Sequence, residues 1–242
     1  MVVSGNILAI DTTFAACSAA VRLAHSTDHA KTFSRYIDIS SGHAEYLMGI
    51  VDSVLAEANI TFADLNALAV TSGPGSFTGI RVGISAVRGL SLATGLPVYA
   101  ASSLAVIARG SMTHLQPDKA GEATAPVAIC VDARRGQIYF QILSRCYQKT
   151  LIPLQIGAPS DVAEAISTAD GPFFLVRSHG LNIAAIFEAH GIALEQELDA
   201  ALPSAEHLLD ADLKLVTKPE PLYLRSPDAK AQSGKALARR VD

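Results

Sequence analysis

Short, nearly continuous apolar runs alternate along the chain with stretches where apolar residues recur every three to four positions. The first kind predicts strands: Ile7 to Ile10, Ala16 to Leu23 and Thr32 to Ile39. The second begins after Ser40-Ser41, which offer an N-cap, and predicts a helix from about His43 to Ala58 with Leu47, Ile50, Val51, Val54 and Leu55 on its core stripe. Ala67 to Thr71 is a further strand. A turn-rich loop, Ser72-Gly73-Pro74-Gly75-Ser76, leads into a helix from about Thr78 to Thr94 that Gly95 stops. Pro97 to Ala100 is a strand, and Ser102-Ser103 cap another helix.

The second half repeats this order. Pro126 to Asp132, Gln137 to Leu143 and Leu151 to Ile156 predict strands, and Ser160-Asp161 cap a helix to about Ala169. Phe173 to Val176 predicts a strand, Leu181 to His190 a helix, Ile192 to Leu194 a short strand, and Ser204 to Leu215 a final helix. Asp11 and Asp132 close matching strands 121 positions apart, half of the 242-residue length. A three-stranded meander followed by helical crossovers, present twice, predicts an α/β protein of two mixed-sheet lobes. The lobes are expected at 1–102 and 103–225, with a polar loop at Met112 to Ala125 inside the second and a mobile basic tail at 226–242.

Composition narrows the class. Half of the residues are hydrophobic and 17% are charged, against a disordered chain. A net charge of −4 excludes a globally basic, nucleic-acid-coating protein. No run approaches the ~18 apolar residues of a membrane helix, and Asp11 comes too early for a signal peptide. Cys17, Cys130 and Cys146, an odd number in strand-like stretches, are expected as buried thiols in a reducing cytosol.

The candidate chemistry is sparse. The loop and helix start from Ser72 to Gly83 have the strand-then-helix context of an anion site, but no Gly-Lys-Ser/Thr follows and the glycine spacing is not that of a dinucleotide fold. Gly79, Gly83 and Ala86 share one stripe and Ile80, Ile84 and Val87 its neighbour, so close helix packing is favoured over phosphate binding. The earlier helix carries a second, partly apolar stripe at His43, Tyr46 and Ile50. Spare apolar faces on two helices suit either an interface with another protein or a larger core. Asp11 and Asp132, at strand ends, suit either Mg²⁺ and phosphate chemistry or turn-amide bonding. His25 and His29 have a ligand-like spacing but lie between strands, without a third ligand. No Gly-x-Ser-x-Gly elbow is present.

Five segments together carry a resemblance: ILAIDTT, SGHAEYLMGIVDSVL, LAVTSGPGSFTGIRVGISAVRGLSLATGLPV, VDARRGQIY and PLYLRSPDA. In this order they resemble the bacterial TsaB (YeaZ) family, over roughly residues 5 to 229. The resemblance implies an actin/sugar-kinase/Hsp70-like fold of two ribonuclease-H-like lobes, each with a mixed five-stranded sheet. It implies a cytoplasmic, non-catalytic subunit without a cofactor or metal. Such a subunit pairs with the threonylcarbamoyltransferase TsaD, is joined by the ATPase TsaE, and meets tRNA through the complex. The family interface falls on the first two helices, at His43, Tyr46, Leu47, Ile50, Phe77, Gly79, Ile80, Gly83, Ala86 and Val87. Gly83→Arg is then expected to abolish pairing without unfolding the lobe.

Two departures point away from catalysis. The metal-binding relative carries His-x-x-x-His where this chain has only His114, and Arg177 and His179 crowd a second-lobe turn that is often glycine-rich in the family. The alternatives are an ATP-dependent phosphotransferase using Asp11 and Asp132, and a homodimer of the isolated chain through the same helices.

Overall fold

A computed structural model describes residues 4–24, 31–112, 114–115, 125–144, 149–167, 172–200 and 202–225. His25, His29, Cys146, most of the 112–125 loop and the 226–242 tail lie outside the described residues.

The first meander is β1 (Ile7–Asp11), β2 (Ala16–Leu23) and β3 (Lys31–Asp38), followed by α1 (His43–Ala58), β4 (Ala67–Thr71), α2 (Phe77–Thr94), β5 (Val98–Ala101) and α3 (Ser103–Ser111). The second is β6 (Val127–Asp132), β7 (Ile138–Leu143) and β8 (Thr150–Gly157), followed by α4 (Pro159–Ser167), β9 (Phe173–Ser178), α5 (Ala184–Ala189) and β10 (Leu194–Ala200). A short α6 (Ala205–Leu208) and β11 (Lys214–Val216) complete the set.

The duplication is visible in the strand orders, β5-β4-β1-β2-β3 in one sheet and β10-β9-β6-β7-β8 in the other. In both, the meander is antiparallel and the two strands on the other side of its first strand run parallel to it. The first sheet gains a sixth strand, because β11 pairs antiparallel with β5 at its edge. This corrects the expectation of two five-stranded sheets.

Alternation along the strands sorts side chains into layers. Leu8, Ile10, Leu68 and Val70 face the buried stripes of α1 and α2, while Ile7, Ala9, Ala67 and Ala69 face α6 and Val106 of α3. The alanines on that second face leave room for close approach. In the second sheet Ala128, Cys130 and Phe140 face α4 and α5, and Val127, Ile129 and Val131 face Leu104, Ile107 and Ala108 of α3. Helix α3 is thus a layer shared by both sheets.

The helix expected from Ser204 to Leu215 is only four residues long. Its start is tied to the first sheet, where the Ser18 hydroxyl accepts from the Ala205 amide at 2.9 Å. Its end is held by Arg22, which donates to the Leu209 carbonyl and to the Asp210 carboxylate, at 2.9 and 2.7 Å. Leu209 and Leu213 can then both be buried, and the chain leaves as a strand. Cys17 and Cys130 are buried free thiols; burial pushes Cys17 up to about 11 and Cys130 higher still. Among the described residues no helix is long and apolar enough to cross a membrane.

Candidate functional site

The glycine-rich loop is packed against the turn after β1. A Cβ on Gly75 would lie 2.1 Å from the Thr13 carbonyl oxygen, and one on Gly79 would lie 2.0 Å from that of Thr12. A Cβ on Gly83 would lie 2.6 Å from the Thr12 hydroxyl. That hydroxyl donates to the Gly79 carbonyl at 2.7 Å, and the Ser76 amide donates to the Thr13 carbonyl at 2.6 Å. The Ser76 side chain caps α2 by accepting from the Gly79 amide at 3.0 Å. At this helix start the Ser76, Gly79 and Ile80 amides, which an anion would seek, are engaged by the chain itself. On its other side the loop is fixed by Ser103, which donates from its amide to Gly73 and from its hydroxyl to Pro74.

Beneath the loop Asp11 is fully buried. Loss of water pushes its carboxyl up to about 6, against the opposing pull of the Thr71 hydroxyl, the Thr13 amide and hydroxyl, and nearby His43. Asp132 is exposed and closes its own turn, accepting from the Arg134 amide at 2.7 Å. His179 is exposed and pairs with Asp199 at 3.0 Å, while Arg177 bridges Glu197 and Asp199 across β9 and β10.

The outer face of α1 and α2 holds an open cavity of about 460 Å³. Ala44 and Met48 line it from α1, and Thr78, Arg81, Val82, Ser85 and Ala86 from α2. Met48 is 41% exposed and Phe77, at the rim, 44%. Phe77, Arg81 and Tyr223 form a three-way cluster: the Arg81 guanidinium lies 3.6 Å from the Phe77 ring centroid and 5.9 Å from that of Tyr223, and the two rings stack at 5.3 Å with an interplanar angle of 29°. Arg81 Nε also donates to the Tyr223 hydroxyl at 2.9 Å. Aromatic rings, a polarizable Met and a positioned Arg are the side chains that protein interfaces favour.

Of the ten residues expected on an interface, Tyr46 and Phe77 are exposed and Ala86 is half-buried. Leu47 touches the cavity from below. The other six are buried within the single chain. His43 points inward, its Nε2 2.8 Å from the Phe14 carbonyl oxygen. Ile50, Ile80 and Val87 join the core, and Gly79 and Gly83 accommodate Thr12. The exposed stripes are offset by one position, at 44/48 and 78/81/82/85, and Tyr223 arrives from a distant part of the sequence.

Two duplicated lobes, each a meander with parallel strands and helical crossovers, define the actin/sugar-kinase/Hsp70-like class of fold. A family model described as "TsaD: tRNA N6-adenosine threonylcarbamoyltransferase" matches residues 38–168. An uncharacterised Mycobacterium tuberculosis protein is 31% identical over 225 residues, covering 93% of this chain and 94% of its own. The "tRNA threonylcarbamoyladenosine biosynthesis protein TsaB" of Escherichia coli is 28% identical, covering 91% and 95%. Among solved structures, YeaZ from Pseudomonas aeruginosa is 27% identical, with a TM-score of 0.72 over 91% of this chain and all of its own. The chain belongs to this TsaD-type family, in its TsaB (YeaZ) branch.

Proposed function

We propose that this chain is a non-catalytic subunit in the making of threonylcarbamoyladenosine on tRNA, docking a TsaD-type threonylcarbamoyltransferase in the groove between α1 and α2. The observation that carries this reading is the apolar groove itself, with Met48 and Phe77 exposed at a face of a TsaB-branch chain. The non-catalytic part is supported by the loop closing on Thr12-Thr13 and by the burial of Asp11. The complex acts in the cytoplasm, a TsaE-type ATPase joins it, and tRNA is met through it. Without its partner, the same groove pairs two copies of the chain.

Mixing the chain with the TsaD-type protein of the same organism should yield a stable complex in size exclusion. Separate elution, with and without nucleotide, would sink the docking reading. Calorimetry with Mg-ATP checks the other half. Micromolar binding that is lost in Asp11→Ala would replace it with the phosphotransferase reading.

A further inference from the structure

The segment that follows β11 runs from the first lobe to the second, and it is anchored at Pro219 and then at four consecutive residues. Arg88 of α2 donates to the Pro219 carbonyl. The Leu222 amide donates to the Ser72 carbonyl at 2.8 Å, and the Leu222 carbonyl occupies the space beside Gly73, 2.9 Å from where a Cβ would stand. Tyr223 stacks on Phe77 at the groove rim. Leu224 packs against the second-lobe cluster that contains Val131 and Tyr139. Arg225 donates to the Arg134 carbonyl at 3.1 Å and to the Gln137 side chain.

What Arg225 holds is a turn that is costly by itself. Arg134 and Arg135 have φ of 62° and 56°, in the left-handed region where residues with a Cβ are disfavoured. The turn stands because Asp132 takes the Arg134 amide, the Ala133 amide donates to the Gln137 carbonyl and the Gln137 amide to the Arg134 carbonyl, and Arg225 clamps it from outside. Four consecutive residues therefore join the glycine loop, the groove rim, the second-lobe core and this turn.

We infer that residues 222–225 couple the groove to the second lobe: the seat of the Tyr223 ring against Phe77 and the order of the Ala133–Gln137 turn are set together, so a partner seated on Phe77 and Tyr223 tightens the turn. This rests on the groove being the docking surface of the TsaD-type partner. Linkage makes the effect reciprocal, so loosening the turn must loosen the rim.

Amide hydrogen exchange on the full chain tests this without a partner. Tyr223→Ala should speed exchange at the Ala133 and Gln137 amides by about fivefold or more, and Arg225→Ala should do the same at the Gly79 and Ile80 amides, the exchange of β8 staying constant. Effects confined to the substituted end of the segment would overturn the coupling. If either variant fails to fold, Tyr223→Leu and Arg225→Gln give the same reading with less lost packing. In a second arm, the TsaD-type partner should slow exchange at Ala133 and Gln137 in the parent chain and not in Tyr223→Ala. A complex that forms while the turn is unaffected overturns the coupling and leaves docking intact. Cross-segment effects in a chain that forms no complex support the coupling and overturn docking alone.

Discussion

Asp11 shows how a single side chain sets a property of the whole lobe. Its folded carboxyl titrates near 6 because burial disfavours the charge, whereas an unfolded one titrates near 3.8. The folded state therefore binds this proton more tightly, and its contribution to stability is fully present below 3.8. It falls as pH rises to about 6 and stays at the lower level above that. The fall in stability over that range is roughly 3 kcal/mol, at ~1.4 kcal/mol for each tenfold difference in proton affinity. Asp11→Asn carries no charge, so it should remove this loss. Urea unfolding at pH 4 and pH 7 should show a smaller drop in the variant than in the parent chain. Equal drops would assign the pH dependence to other groups.

On the scale of the helix, α2 separates stability from docking. Gly83→Ala places a methyl 2.6 Å from the Thr12 hydroxyl, which must shift and release its bond to the Gly79 carbonyl. Crowding of this kind costs about 1–3 kcal/mol, only partly offset by the ~1 kcal/mol that alanine gains over glycine in a helix. Ser85→Arg, exposed in the groove, crowds nothing within the lobe. The first should lower the melting temperature, and the second should leave it unchanged while weakening the complex at least tenfold, as seen by titration calorimetry. The reverse pattern would remove the groove from the interface. Gly83→Arg is accordingly a folding lesion rather than a probe of pairing. The helices themselves were legible, since α1 spans His43–Ala58 as its periodicity requires. Which stripe faces out was not. Both faces of α2 are low in charge, and the glycines that mark close approach do not say what approaches: here it is Thr12, in the turn after the central strand β1. Tyr223 was not legible either, because nothing local ties it to Phe77.

For the molecule as a whole, the doubled topology was legible in the spacing of Asp11 and Asp132, while the exchange between halves was not. Ala205, Leu208, Leu209 and Leu213 are buried against Ile7, Ala9, Ala67 and Ala69, and β11 closes the β5 edge. The four-residue helix α6 has no periodicity to announce it, and its place depends on the distant Ser18 and Arg22. A chain ending at residue 203 should therefore bind more of a hydrophobic dye than the full chain, because it uncovers that alanine-rich face. Equal dye binding would mean that the face is covered some other way. The order of synthesis then acquires a meaning. Helices α1 and α2 precede most of the chain, yet the far side of the sheet on which they rest, met first by Val106 of α3, is fully covered only when residues 205–213 fold back. A nascent chain holds α1 and α2 on a half-covered sheet, so the groove between them is fully supported only after residues 205–213 have been made and folded back.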